Sequence, residues 1–259
     1  MARKPTPAQA SAEPAALPEV NFSDFGDVRF LHLGTEWVQG SMRLDAPYEI
    51  DLDYVQRMMA WLLFRDAAEV PGLHAMQLGL GSAALTKFCH KKLRMQTKAV
   101  EINPQVFAAC RLWFKLPADD ARLKVVIADA ALEVRKPEYQ GCVDALQVDL
   151  YDHEAAAPVL DSADFYRDCR GMLTEEGVMT VNLFGRDASY ERSLDKMNEA
   201  FGSEGLWAFR PTREGNTVVL AQRSPSRPSR QTLLARADLI SSLWGLPAAK
   251  WLKILKPVA

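Results

Sequence analysis

Gly79-Leu80-Gly81-Ser82 places two residues without side chains one position apart, directly after the apolar run Ala75-Met76-Gln77-Leu78. A backbone free of Cβ atoms lets a ligand come close. A helix starting just beyond it presents unpaired N–H groups to that ligand. Glu101 ends the next apolar run, Lys98-Ala99-Val100, about 20 residues on, where a carboxylate can accept hydrogen bonds from two ribose hydroxyls. Asp129-Ala130 ends a third run that starts at Leu123. There an Asp can accept from the exocyclic amine of adenine, and a small Ala leaves room for the ring; Asp is also a favoured helix N-cap. Asp149, Tyr151 and Asp152 follow a fourth run, and Asn182 and Gly185 close a fifth. A glycine pair by itself is only a tight turn, but joined to an acid one strand later it describes a nucleoside site. NAD is the rival ligand, since Ala84 takes the third-glycine position that the dinucleotide pattern allows. The acidic end of the fourth run suits a sulfonium nucleoside better than a pyrophosphate.

These residues need a frame that brings strand ends together. Val28 to Leu33 and Glu36 to Leu44 alternate around Gly34-Thr35, which predicts a hairpin. Leu52 to Phe64 is apolar at helical spacing. From Ala75 onward strands and helices alternate: strands at 75–78, 98–102, 123–128, 143–149 and 178–184, helices at 83–93, 104–115, 161–173 and 190–201. Leu206 to Pro211 and Thr217 to Gln222, joined by a short connection, read as an antiparallel hairpin. Alternation with short links predicts an α/β fold with a mostly parallel, doubly wound sheet. Closing that sheet with an antiparallel C-terminal hairpin indicates a Rossmann-like class I methyltransferase fold, here preceded by a small N-terminal β-hairpin. Ligands of such sheets bind outside the carboxyl ends of the strands.

The expected organisation is a disordered leader over 1–20, rich in Ala, Pro and Glu; a hairpin and helix over 21–65; a nucleoside-binding transferase domain over 66–223; and a basic linker with C-terminal helices over 224–259. The tail carries Arg223, Arg227, Arg230, Arg236, Lys250, Lys253 and Lys256 against Asp238. It reads as a helix docked on the domain with a solvated basic face.

The 259 residues are 48% apolar and 25% charged, enough for a sizeable core. No apolar run reaches the roughly 18 residues of a membrane span. A formal charge of −2 gives no global attraction to nucleic acid. No apolar stretch follows Arg3-Lys4, so no secretory signal is expected and the cytoplasm is the expected compartment. Cys89, Cys110, Cys142 and Cys169 are far apart with no C-x-x-C pair, so reduced core or near-core thiols and no metal site are expected.

Taken in order, these pieces resemble the spermidine synthase (polyamine aminopropyltransferase) family over roughly Val28 to Arg223. The pieces are Val38-Gln39, the helix with Tyr54, Gly79-Leu80-Gly81, Val100-Glu101-Ile102, Asp129-Ala130, Asp149 with Asp152, and Phe165-Tyr166 followed by Leu173 and Gly177-Val178. The resemblance implies aminopropyl transfer from decarboxylated S-adenosylmethionine to an amine such as putrescine, without a metal. By resemblance Gln39, Gly79, Gly81, Glu101, Asp129 and Ala130 bind the nucleoside, Asp149 is catalytic, and Asp152 and Tyr54 bind the acceptor. A homodimer is also implied, with Trp37 and Met42 on the hairpin as exposed candidates for an interface. The physical logic agrees: an alkyl ammonium titrates near the Lys value, about 10, and cannot attack until it loses a proton. A carboxylate in hydrogen-bond reach can orient the amine and take that proton.

Three departures set this chain apart. The family's glycine loop carries an Asp, where this chain reads Gly81-Ser82-Ala83-Ala84. The loop after the fourth strand reads Asp149-Leu150-Tyr151-Asp152, bulkier than the Ser-rich family version. Val55 follows Tyr54 where the family has Gln or His. The missing loop acid removes a barrier to intact S-adenosylmethionine, so a methyltransferase on the same fold is the alternative. A nucleoside-binding protein without turnover is the third reading.

Overall fold

The computed structural model describes residues 17–150, 160–184 and 188–258. Five strands of the main sheet run parallel: β4 (His74–Leu78), β5 (Gln96–Glu101), β6 (Leu123–Ile127), β7 (Val143–Val148) and β8 (Leu173–Phe184). Antiparallel β9 (Leu206–Phe209) and β10 (Asn216–Gln222) complete it, with β11 (Leu255–Pro257) at the edge. The strand order is β6-β5-β4-β7-β8-β10-β9-β11. The order reverses between β4 and β7, and a cleft opens at such a switch point. Every residue of β7 is buried, the pattern of a strand covered on both faces.

One face of the sheet packs under α1 (Asp53–Arg57), α7 (Arg230–Trp244) and α8 (Ala248–Ile254) around Trp61, Phe88 and Trp251. The other packs under α5 (Ala163–Met172) and α6 (Ala188–Phe201) around Tyr166, Met179 and Leu206. A third cluster, with Leu31, Met42, Val106, Cys110 and Phe114, joins the N-terminal hairpin to α3 (Pro104–Trp113). The docked C-terminal helix buries Ala237 and Ile240. Ser162, not the neighbouring Asp161, caps α5. Asp161 instead ties α5 to α6, accepting from Tyr166 and Lys196.

Three local readings change. The helix expected over 52–64 is α1 followed by a 3-10 turn at Ala60–Phe64. At the break, Thr180 Oγ1 on β8 donates to the Met58 carbonyl at 3.1 Å, and Gln147 Nε2 on β7 donates to it at 3.5 Å. The helix after the glycines is a short α2 (Ala84–Lys87) that widens into a π turn over Phe88–Lys92. The N-terminal hairpin has a third strand: β1 (Val20–Phe25) pairs with β2 (Val28–Leu33), which pairs with β3 (Val38–Arg43). Strand alternation turns Met42 inward, 1% exposed, so of the two hairpin candidates Trp37 alone is a surface residue, at 60%. Cys142 is exposed while the other three thiols are buried, because Gly141 and Cys142 precede β7 in a turn.

Among the described residues, no helix is long and apolar enough to cross a membrane.

Candidate active site

Sheet register sets the site. Leu78 pairs with Val100 on one side and Val148 on the other, and Val148 pairs with Val181. The next residue of each strand therefore stands at the same level: Glu101, Gly79, Asp149 and Asn182 form a row along the carboxyl edge.

Glu101 is buried, and its two carboxylate oxygens accept from the Leu80 N–H at 3.0 Å and the Asn103 N–H at 2.8 Å. It thereby fixes the glycine turn to the end of β5. Burial pushes its carboxyl above the ordinary range, against those backbone hydrogen bonds, which pull it down. Ala128 N–H donates to the Glu101 carbonyl at 2.9 Å, which sets Asp129 and Ala130 one strand away. Asp129 caps α4 (Ala130–Glu133), accepting from Ala131 N–H at 2.8 Å, so the capping role is real. Ala130 is buried and Asp129 exposed.

The turn needs glycine at two points. Gly79 has φ +91°, and a Cβ there would lie 2.2 Å from the Asp149 carbonyl oxygen. Gly81 has φ +49°, and its Cβ would lie 3.1 Å from the Gln39 carbonyl oxygen. Gly79→Ala should therefore cost at least about 2 kcal/mol through strain and displacement of the β7 end. Chemical denaturation measures this; a variant as stable as its parent would show that the two strand ends part freely.

Gln39 sits on β3 against this turn. Its side-chain Nε2 is buried and has no hydrogen-bond partner among the described residues. A buried amide donor without an acceptor costs free energy, and a ligand oxygen would relieve it. Gly40 carries the contact: a Cβ there would meet the Ser82 backbone nitrogen at 2.8 Å. Ser82 Oγ donates to the Ser41 carbonyl at 2.9 Å. Behind the turn, Cys110 Sγ donates to the Gly81 carbonyl at 3.0 Å.

Asp149 is the other pole. Tyr54 Oη donates to its Oδ2 at 3.3 Å, and Asn182 Nδ2 donates to its Oδ1 at 2.9 Å. Desolvation raises its carboxyl above the ordinary value, and those two hydrogen bonds pull it back. The fold thus joins Tyr54 to Asp149, Asp149 to Gly79, Gly81 to Gln39 and Glu101 to the turn. Asp152 lies outside the described residues. The reading of the sequence passed over Gly40 and gave no role to Asn182 or Asn216; Asn216 Nδ2 donates to Asn182 Oδ1 at 3.1 Å. Gly40, beside Gln39, was a visible signal. Asn216 was not, since an Asn after Gly215 is ordinary turn composition.

This is the fold and strand-end layout of a class I methyltransferase-like transferase. The chain matches no protein-family model. It is 36% identical over 245 residues to a polyamine aminopropyltransferase of Neisseria meningitidis, covering 93% of this chain and 90% of that one. It is 35% identical over 244 residues to one of Chromobacterium violaceum, with the same coverage of 93% and 90%. The chain belongs to the polyamine aminopropyltransferase family and is a transferase. A probable spermidine synthase from Corynebacterium glutamicum superimposes with a TM-score of 0.70 at 17% identity, covering 93% of this chain and 90% of that one. Human Methyltransferase-like protein 13, solved with SAH, superimposes with a TM-score of 0.65 at 25% identity, covering 75% and 93%.

Proposed function

We propose that the protein moves an aminopropyl group from decarboxylated S-adenosylmethionine to a small amine such as putrescine. The observation that carries this reading is the Asp149 carboxylate. It stands at the switch point, held by Tyr54 and Asn182, beside a glycine turn locked by Glu101. The nucleoside fits the residues present. Gln39 offers an orphaned donor, and Gly79 and Gly81 leave the backbone open. The Glu101 oxygens accept from the Leu80 and Asn103 N–H groups, and the carboxylate's remaining lone pairs would take ribose hydroxyls. Ile102, 55% exposed, and Ala130 follow the ends of β5 and β6, and an adenine ring bound there would be read by Asp129.

When bound, the donor supplies an electrophilic carbon next to its sulfonium. The chain's own residues do the rest. Asp149 orients the acceptor ammonium and takes its proton, so the free amine attacks. Tyr54 and Asn182 keep the carboxylate aimed. In-line placement supplies the remaining catalysis. Asp152 would help hold the acceptor. A homodimer and a nucleoside-binding domain over 66–223 belong to the same proposal; of the leader expected over 1–20, residues 1–16 lie outside the described residues and Val20 already opens β1.

One observation favours a second reading, methyl transfer from S-adenosylmethionine itself. Ser82 occupies the loop where the resemblance calls for an acid, and its hydroxyl is engaged by the Ser41 carbonyl. No carboxylate on that loop repels the donor's own carboxylate. Calorimetric titration with the two donors side by side decides. The expected result is tighter binding of the decarboxylated form, with the preference growing in Ser82→Asp. Preference for intact S-adenosylmethionine would replace aminopropyl transfer by methyl transfer. Binding of neither would overturn both donor readings.

A further inference from the structure

The β9–β10 hairpin reaches the site through Asn216. Asn216 opens β10 just after Gly215, whose φ is +105°. Its backbone is pinned on both sides: the Thr212 N–H donates to its carbonyl at 2.7 Å, and its own N–H donates to Thr212 Oγ1 at 3.1 Å. Asn182 pairs with Val218 across the ladder. Asn216, two residues from Val218, therefore projects on the same face as Asn182. Its Nδ2 donates to Asn182 Oδ1 at 3.1 Å, and Asn182 Nδ2 donates to Asp149 Oδ1 at 2.9 Å.

The direction of this chain is set by chemistry. An ionised carboxylate only accepts hydrogen bonds, so the Asn182 amide must turn its Nδ2 toward Asp149. That leaves Oδ1 pointing the other way, where only a donor is tolerated. Asn216 supplies the donor. If the Asn182 amide flipped, Oδ1 would face the carboxylate, and Nδ2 would face the Asn216 Nδ2 unless that amide turned with it, so a flip costs the bond to the carboxylate and requires both amides to turn together. A flipped amide would instead suit protonated Asp149, which would donate to it.

We propose that Asn216 is a positioning residue: it locks the Asn182 amide with its donor toward Asp149 and so holds that carboxylate in its proton-accepting form. The inference rests on the reading of Asp149 as the proton acceptor, and it gives the antiparallel hairpin a part in the chemistry. Among the described residues, the titratable group facing Asp149 is Tyr54 on α1. Asn182 on β8 and Asn216 on β10 are neutral, and the β4 end presents Gly79. The lock acts against burial, which favours the neutral acid.

The test is a titration of the Asp149 carboxyl by carbon-13 NMR in ligand-free protein, with its signal assigned by loss in Asp149→Asn. Leucine is close to asparagine in size and adds no charge. Asn182→Leu should raise the Asp149 titration by about one pH unit, the scale of one lost hydrogen bond to the charged form. Asn216→Leu should raise it by part of that amount. In the Asn182→Leu background, Asn216→Leu should add nothing, because its effect passes through Asn182. Asn182→Ala serves the same arm should the leucine variant not fold. An unmoved titration in Asn216→Leu overturns the proposal, as does a shift that persists without Asn182. Turnover of Asp149→Asn reports separately on the underlying reading. Full activity there would remove Asp149 as the base and leave the NMR result to judge the lock alone.

Discussion

Asp149→Asn is expected to lower turnover by at least about a hundredfold, the scale of losing a general base, while adenosyl binding stays nearly intact. The substitution keeps the shape of the side chain. Asn182 Nδ2 still finds an oxygen to donate to, and Tyr54 can reverse its hydroxyl. What disappears is the capacity to take a proton from an ammonium. The pH dependence of the parent follows the same group. Burial raises its carboxyl, and only the ionised form accepts a proton, so activity should fall as pH drops through the raised value. The sign for stability is the opposite. Between the ordinary carboxylate value and the raised one, the folded state holds a proton that the unfolded state releases. Stability therefore declines as pH climbs through that window. A neutral amide at this position carries no such cost, so the variant should melt no lower than its parent at neutral pH. Low turnover with an unchanged melt assigns the loss to chemistry; full turnover would exclude Asp149 from the reaction.

Glu101→Ala should weaken binding of S-adenosylmethionine and of its decarboxylated form alike. Two hydrogen bonds from ribose hydroxyls to a charged acceptor contribute about 3 kcal/mol or more, on the order of a hundredfold in Kd. The loss has a second source. The Leu80 and Asn103 N–H groups lose the acceptor that fixes the glycine turn, so the backbone that should approach the nucleoside is released as well. Calorimetry at matched temperature reads the change, with thermal melting to show that the variant is folded. Unchanged affinity would place the nucleoside elsewhere. The substitution acts whichever group is transferred, which separates the location of the donor site from the choice between aminopropyl and methyl transfer.

Much of this site was legible before any coordinates. Gly79, Glu101, Asp129 and Asp149 each end an apolar run, and in a doubly wound sheet such ends meet at one edge. The register then places Glu101, Gly79 and Asp149 side by side, since Leu78 pairs with both Val100 and Val148. The α/β alternation and the closing hairpin were visible for the same reason: strands buried on both faces spell continuous apolar runs. Other features left no local mark. β11 is three residues long, too short for a pattern, and exists because β9 leaves an edge to pair with. The break after α1 looks like an unbroken amphipathic helix, and the groups that meet its Met58 carbonyl, Thr180 and Gln147, lie on distant strands. Met42 has the same alternation whichever face of the hairpin turns inward.

The residue types and their order along the chain determined the fold class, the edge where chemistry occurs and the acids that stand there. These are properties of period and spacing, which a linear sequence carries in full. Tertiary structure alone decided how those acids are held. Glu101 spends an acceptor on each of two backbone N–H groups, Asp149 leans on Tyr54 and Asn182, and Asn216 orients Asn182 from a hairpin more than 60 positions beyond Asp149 (149 to 216). A hydrogen bond depends on direction and on a few tenths of an ångström. Neither is written in the spacing of residues; both appear when the strands are brought into register.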